Sequence, residues 1–424
     1  MVNKTAKQRA LVMYESLQLE QMGFLRELVQ RPSLRGETNE VQQFLARTLR
    51  DMGLQVVPEP IDIAQIQSLP GFSPVEWSYD GLFNVVARAK GSGHGGRSLL
   101  LNGHVDVVSP EPVSHWLHDP WGGAVIDGRM YGRGTADMKS GIAAMIFALH
   151  AIRRSGVALR GDVLLETVID EECSGNGTLS CLSQGHTADA ALIPEATNFG
   201  FITAHPGVLW SRIQIRGAGS HAQSASSAVN AAEKAFVVIR ALRELEAEWN
   251  APARRHPSLA SLEHPINLNI GILHAGDWPS NVPELCTMEV RLAYYPGVDR
   301  IAVEQELRDR VAMAAMTDPW LHDHQPEVTF FGFRAEPAVY DLDADIFHVV
   351  ADNHRAIIGA DVQAGPGAAT IDNRFFALYF GIPSVCYGPS GGNLHAPDEW
   401  VDLTSVETCT RILIGTLIDW CGAV

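Results

Sequence analysis

The sequence predicts an α/β fold, with a mainly parallel sheet flanked by helices and a smaller unit inserted into it. Two observations predict this. Short apolar runs alternate with amphipathic helical stretches over both ends of the chain, the pattern of a parallel sheet. The middle changes to the order β-α-β-β-α-β, the split βαβ layout of a small ferredoxin-like unit. The length of 424 residues agrees, being too great for one ordinary core.

Each element has its own signal. Residues 8–29 and 39–52 carry apolar side chains at three- and four-residue spacing and predict helices, the second stopped by Gly53. Strands are predicted at Phe83–Arg88, Ser98–Asn102, Val163–Ile169, Ala190–Ile193 and Ser384–Tyr387, with a helix from Met138 to about Arg154 ended by Gly156. In the middle, Leu209–Arg216, Asn267–Leu273, Cys286–Ala293 and Glu327–Phe331 read as strands, and Val229–Trp249 and Ile301–Met313 as helices. Asn250–Pro265, with three prolines, reads as a loop. Pro206-Gly207 and the loop Arg334–Pro337 mark the junctions. The expected division is a discontinuous domain of residues 1–207 and 333–424 with residues 208–332 inserted.

Composition narrows the function. The formal charge of −17 argues against nucleic acid, since phosphate binding needs a basic surface. No apolar run reaches membrane-spanning length, and the N-terminus lacks a secretory signal, so a cytoplasmic protein without membrane contact is expected. Six cysteines are scattered without a C-x-x-C pair, which indicates reduced, packed thiols.

Five segments carry the chemistry: Gly103-His104-Val105-Asp106, Gly132 to Asp137, Asp170-Glu171-Glu172, Pro194-Glu195 and Leu394-His395. All donors are carboxylate oxygens or imidazole nitrogens, a set suited to zinc, cobalt or manganese. Four segments follow predicted strands, and ligands in open α/β sheets gather outside the carboxyl ends of strands. Asp137 is expected at the start of a helix, where the dipole favours an anion. Two other motifs fail on context. Gly388-Pro389-Ser390-Gly391-Gly392 matches G-x-S-x-G, but no helix follows the serine. Gly91-Ser92-Gly93-His94-Gly95-Gly96 matches G-x-G-x-x-G, but it precedes a strand and opens no helix.

The five segments, in this order, resemble the M20 metallopeptidase family, which includes acetylornithine deacetylase, succinyl-diaminopimelate desuccinylase, aminoacylase and carboxypeptidase G2. The resemblance runs over nearly the whole chain. It implies that His104 and Glu195 hold one metal ion, that Glu172 and His395 hold the other, and that Asp137 bridges both. It implies that Asp106 fixes the His104 ring and that Glu171 is the general base and later the acid. Two dications against three carboxylates leave one net positive charge, which favours a metal-bridging hydroxide near neutrality. His221, in a glycine-rich turn, matches a family histidine that stabilises the oxyanion across a dimer interface. Asn281 matches an asparagine near the substrate, and Arg374 an arginine that grips a substrate carboxylate. Two positions depart from the family: Pro206 follows His205, and Glu289 replaces an aspartate before Arg291.

The function expected is metal-dependent hydrolysis of an amide C–N bond in a small N-acyl amino acid or related carboxylate-bearing compound. The cofactors expected are two divalent ions, zinc first, with cobalt or manganese as substitutes. A homodimer through the inserted unit is expected. Alternatives in the same chemistry are a dipeptidase or carboxypeptidase, a formylaminopyrimidine deformylase and an aromatic-amine aminohydrolase. From other classes come a catalytically silent binding protein on this scaffold and a metal-free serine hydrolase.

Overall fold

A computed structural model describes residues 2–93 and 95–424; Met1 and His94 lie outside the described residues. The main strands are β1 (Gln55–Pro60), β2 (Phe83–Ala89), β3 (Leu99–His104), β4 (Val163–Val168), β5 (Ala190–Ile193), β6 (Gly207–Arg216), β7 (Leu268–Ala275), β8 (Leu285–Tyr294), β9 (Glu327–Ala335) and β10 (Ser384–Cys386). Six of them form a sheet in the order β1-β2-β4-β3-β5-β10. β4, β3, β5 and β10 run parallel, and β2 pairs antiparallel with both β1 and β4. Every residue of β3 and β4 is buried, as expected for central strands covered on both faces.

The helix Ser140–Arg154 is almost wholly buried against this sheet. Gly141 lets it approach closely, because a Cβ there would lie 2.0 Å from the Pro194 carbonyl. That contact seats the helix beneath the strand end that carries Glu195.

The remaining four strands form a second sheet in the order β7-β8-β6-β9, every neighbour antiparallel, as the split βαβ pattern requires. Leu209, Ile213 and Ile215 of β6 share a buried cluster with residues of the helices Ala231–Trp249 and Arg300–Ala315. The other face of the sheet, with Trp210, Arg212, Glu289 and Arg291, is left half-buried and turned away from those helices. A loop before β2 clasps this sheet. The Gly332 amide donates to the Pro74 carbonyl at 2.7 Å, and Arg212 pairs with Glu76 at 2.8 Å. The same loop sends Trp77 and Tyr79 to Asp170: the indole N–H donates to the Asp170 carboxylate at 2.8 Å and the phenol at 2.5 Å.

Several expectations need correction in detail. The single helix over 8–29 is two, Val2–Glu15 and Gln18–Val29. Between them the Ser16 hydroxyl bonds the Met13 carbonyl at 2.6 Å, and the turn drives Leu17 into the core. The helix expected from Met138 begins at Ser140, after an irregular turn at Thr135–Lys139. All six cysteines are buried and unpaired. Among the described residues, no helix is long and apolar enough to cross a membrane.

Candidate active site

The parallel strands deliver three of the five segments directly. His104 is the last residue of β3, Glu171 and Glu172 follow β4, and Glu195 follows β5. The other two arrive through a small sheet of short strands, Ala124–Ile126, Arg129–Tyr131, Trp400–Asp402 and Gly391–Gly392. It ties the loop bearing His395 to the strand that leads into Asp137. His395 sits at φ +59, in the left-handed region, so this loop holds it in an uncommon backbone conformation.

At the centre lies the Asp137 carboxylate, between two imidazoles. Its Oδ1 is 3.0 Å from His104 Nε2, and its Oδ2 is 3.3 Å from His395 Nε2. Each imidazole has a second carboxylate beside it. Glu195 lies 3.4 Å from His104 Nε2, and Glu172 lies 3.1 Å from His395 Nε2. The ligand atoms of His104, Asp137 and Glu172 lie within 4.8 Å of one another. Such a set of hard and borderline donors, with no thiolate, fits two divalent cations sharing the aspartate.

The electrostatics agree. Burial opposes charge on His395, yet hydrogen bonds to Asp137 and Glu172 raise it to about 11. Burial likewise opposes charge on His104, but Glu195 and Asp137 raise it well above the ordinary histidine range. Burial, reinforced by Asp137, lifts Glu195 to about 7. The pocket thus holds more negative charge than it can comfortably bury, and divalent cations would offset it.

Two supporting residues behave differently from expectation. Asp106 does fix the His104 ring, but through its main chain: Nδ1 donates to the Asp106 carbonyl at 2.9 Å, while the carboxylate stands 3.8 Å away. That carboxylate instead accepts from the amides of Glu171 and Glu172, at 3.2 and 3.1 Å, and so orients the turn that presents them. Asp137 is not in a helical first turn; its φ and ψ of −115° and 90° are non-helical. It is held by Glu399, a residue the sequence reading did not single out. One Glu399 oxygen accepts from the amides of Ala136 and Asp137 at 2.9 and 3.1 Å. The other accepts from the Gly134 amide at 2.9 Å and the Arg133 guanidinium at 2.7 Å.

Glu171 is 7% exposed. Burial pushes its carboxyl well above the ordinary range, with His104 opposing and Asp372 and Glu172 adding to the rise. Ser390, in the discounted serine motif, donates to the Asn198 side chain, and no helix follows it.

The remaining candidates do not join this cluster. Arg374 is 0% exposed, paired with Asp372 at 3.2 Å and donating to the Ile371 and Ser174 carbonyls. Its guanidinium is engaged inside the protein, beneath the turn that carries Glu171. His221 and Asn281 face each other in a short ladder beside the second sheet, both exposed. His221 accepts from the Gln223 amide at 3.2 Å, and Asn281 donates to Asp277 at 3.1 Å.

A cleft of about 530 Å³ runs from His395 to the half-buried face of the second sheet, where Trp210, Arg291 and Phe331 line it. The Arg291 side chain makes no hydrogen bond or ion pair among the described residues, and burial alone lowers its pKa. Its signal in the sequence was the alternation of β8, which buries Met288, Val290 and Leu292 and turns Glu289 and Arg291 to the other face.

Residues 100–419 match the family model described as peptidase family M20/M25/M40. The chain belongs to this family. Being an M20 protein, it is a hydrolase. Among its relatives is the N-formyl-4-amino-5-aminomethyl-2-methylpyrimidine deformylase of Bacillus subtilis, 29% identical over 83% of this chain and 86% of the relative. The acetylornithine deacetylase of Proteus mirabilis is 27% identical over 93% of this chain and 95% of the relative. In structure, the M20 chain is similar to the di-peptidase Dug1p of Saccharomyces cerevisiae, with a TM-score of 0.81 at 15% identity over 99% of both chains.

Proposed function

We propose that this M20 hydrolase deacylates a small N-acyl amino acid or related carboxylate-bearing compound, using two divalent ions and Glu171. The observation that carries the reading is the Asp137 carboxylate, one oxygen toward each imidazole, each imidazole with its own second carboxylate. His104, Glu195 and Asp137 would hold one ion, and His395, Glu172 and Asp137 the other. When bound, the ions supply Lewis-acid polarisation and make water acidic enough to ionise near neutrality.

The protein's own groups do the rest. Glu171 takes a proton from the attacking water and later gives it to the leaving amine. Asp106 fixes its backbone by accepting from the Glu171 amide. Arg291, unpaired and lining the cleft, takes the substrate carboxylate in place of Arg374. His221 acts from a second copy of the chain, joined through the inserted unit of residues 208–332, with Asn281 beside it. Its exposure, and its lack of any bond to the metal-ligand candidates of its own chain, support that arrangement.

The test is a screen of N-acyl amino acids, dipeptides and aromatic amides, read by release of free amine after metal stripping and reconstitution with zinc, cobalt or manganese. Loss on stripping and recovery with metal are expected, and Glu171→Gln should lower kcat by ~10²–10⁴-fold with metal retained. Full activity in metal-free protein would overturn the mechanism. The deformylase relatives favour a second reading, removal of a formyl group from an aminopyrimidine. Including such a compound in the screen separates the two.

A further inference from the structure

The cleft wall opposite His395 is built in a way that points to the kind of side group the substrate carries. Trp210 on β6 stands directly across from Arg291 on β8 in the antiparallel register. Residues so opposed share one face of the sheet, with Cβ atoms about 5 Å apart. The Trp210 ring is fixed from behind by Phe331, at 5.9 Å between centroids, and by Phe333, at 5.3 Å and nearly perpendicular. Gly332, at φ +58, makes room for it. A Cβ at that position would come within 2.6 Å of the indole and 3.2 Å of the Cys173 carbonyl. The indole therefore lies alongside the segment that carries Glu171 and Glu172, and it lines the cleft that reaches His395.

We propose that Trp210 is a specificity-determining wall that selects substrates with a planar aromatic ring close to the carboxylate held by Arg291. The substrate class is then N-acylated aromatic amino acids. Carboxylate and ring would be separated by about the distance between neighbouring side chains across a strand pair. The proposal rests on the deacylase reading above for its chemistry, but the ring preference can be measured without turnover.

The experiment is calorimetric binding to the metal-loaded Glu171→Gln protein of N-acetylphenylalanine, N-acetylalanine and N-acetylphenylalaninamide. The aromatic acid should bind at least about ten-fold more tightly than N-acetylalanine, the stacking contribution adding to buried area. The amide should bind more weakly than the acid. Trp210→Ala should erase the aromatic preference, and Trp210→Phe should keep most of it. If Trp210→Ala fails to fold, Trp210→Leu against Trp210→Phe makes the same comparison. Equal binding of the two acids, or a preference that survives Trp210→Leu, overturns the proposal. Should the wild type hydrolyse no N-acyl amino acid while the ring preference is present and depends on Trp210, the wall stands and the reaction assignment falls. Hydrolysis of N-acetylalanine and N-acetylphenylalanine with no preference between them removes the wall alone.

Discussion

Replacing Glu399 with glutamine should damage the metal centre although Glu399 is no ligand candidate. Glu399 is buried, and both its carboxylate oxygens are doubly engaged. One faces the amides of Ala136 and Asp137, the other the Gly134 amide and the Arg133 guanidinium. A glutamine can accept on one side only. Whichever way its amide turns, an NH₂ group meets two donors, each orphaned donor costing ~1–3 kcal/mol. The Arg133 guanidinium, itself buried, also loses its counter-charge. Removing one partner of a buried pair costs about 3–5 kcal/mol, and the two effects overlap here rather than add. The displaced residue is Asp137, which faces both imidazoles, so both metal sites should weaken together. Loss of an outer partner of this kind typically costs roughly 10–100-fold in metal affinity. The assay is metal affinity by chelator competition, with thermal unfolding of the metal-free protein alongside. Two ions bound with affinities within about two-fold of wild type, at an unchanged midpoint, would refute the argument that Glu399 positions Asp137.

Three further outcomes are expected. Arg374→Ala strands the buried Asp372 and should destabilise the protein by about 3–5 kcal/mol in chemical denaturation, while lowering turnover of acid and amidated substrates alike; a selective loss on acids would restore Arg374 as a substrate residue. Mixing Glu171→Gln chains with His221→Ala chains should recover partial activity once subunits exchange, because one mixed site is then complete, and no recovery despite demonstrated exchange would place His221 elsewhere. The metal-free site should bind protons that metal displaces, since His395 is held up to about 11 from an ordinary 6.5. The stabilisation from that raised histidine is complete below about 6.5 and is lost as pH climbs through about 11, so metal affinity should rise with pH across this window. Calorimetric titration in buffers of different ionisation enthalpy counts the released protons, and a pH-independent affinity would contradict the charge pattern described.

Much of the fold was legible because its central strands are continuous apolar runs ending in chemical residues. β3 ends on His104, and β5 is followed by Pro194 and Glu195. β1 was not legible, since Pro58 and Pro60 read against a strand; they are tolerated because it is an edge strand paired only with β2. The last helix, Leu403–Cys421, was missed because most of its length is buried and its polar stripe, Thr404, Glu407, Thr408 and Arg411, is confined to its first half. The carboxylates and imidazoles that converge on Asp137 were readable from their position after strands, and their individual roles only from the family resemblance. The supporting residues were not. Glu399 lies far in sequence from the amides it accepts from, and nothing local marks it. Arg374 carried a motif resemblance, but its burial against Asp372 shows only in the structure, while Arg291 stood beside the departing family position Glu289 and on the same face of β8.

The loop before β2 touches two parts of the molecule at once. Its Pro74 carbonyl and Glu76 carboxylate are fastened to the second sheet, and its Trp77 and Tyr79 are fastened to Asp170, the residue before Glu171. Any movement of the second sheet would therefore pull on the turn that presents Glu171. If a substrate drew that sheet toward the turn, its capture and the placement of Glu171 would be coupled through this loop. Discrimination in such an enzyme would register in turnover as well as in binding, because a poorly fitting molecule would be held in a site that is not yet set to react.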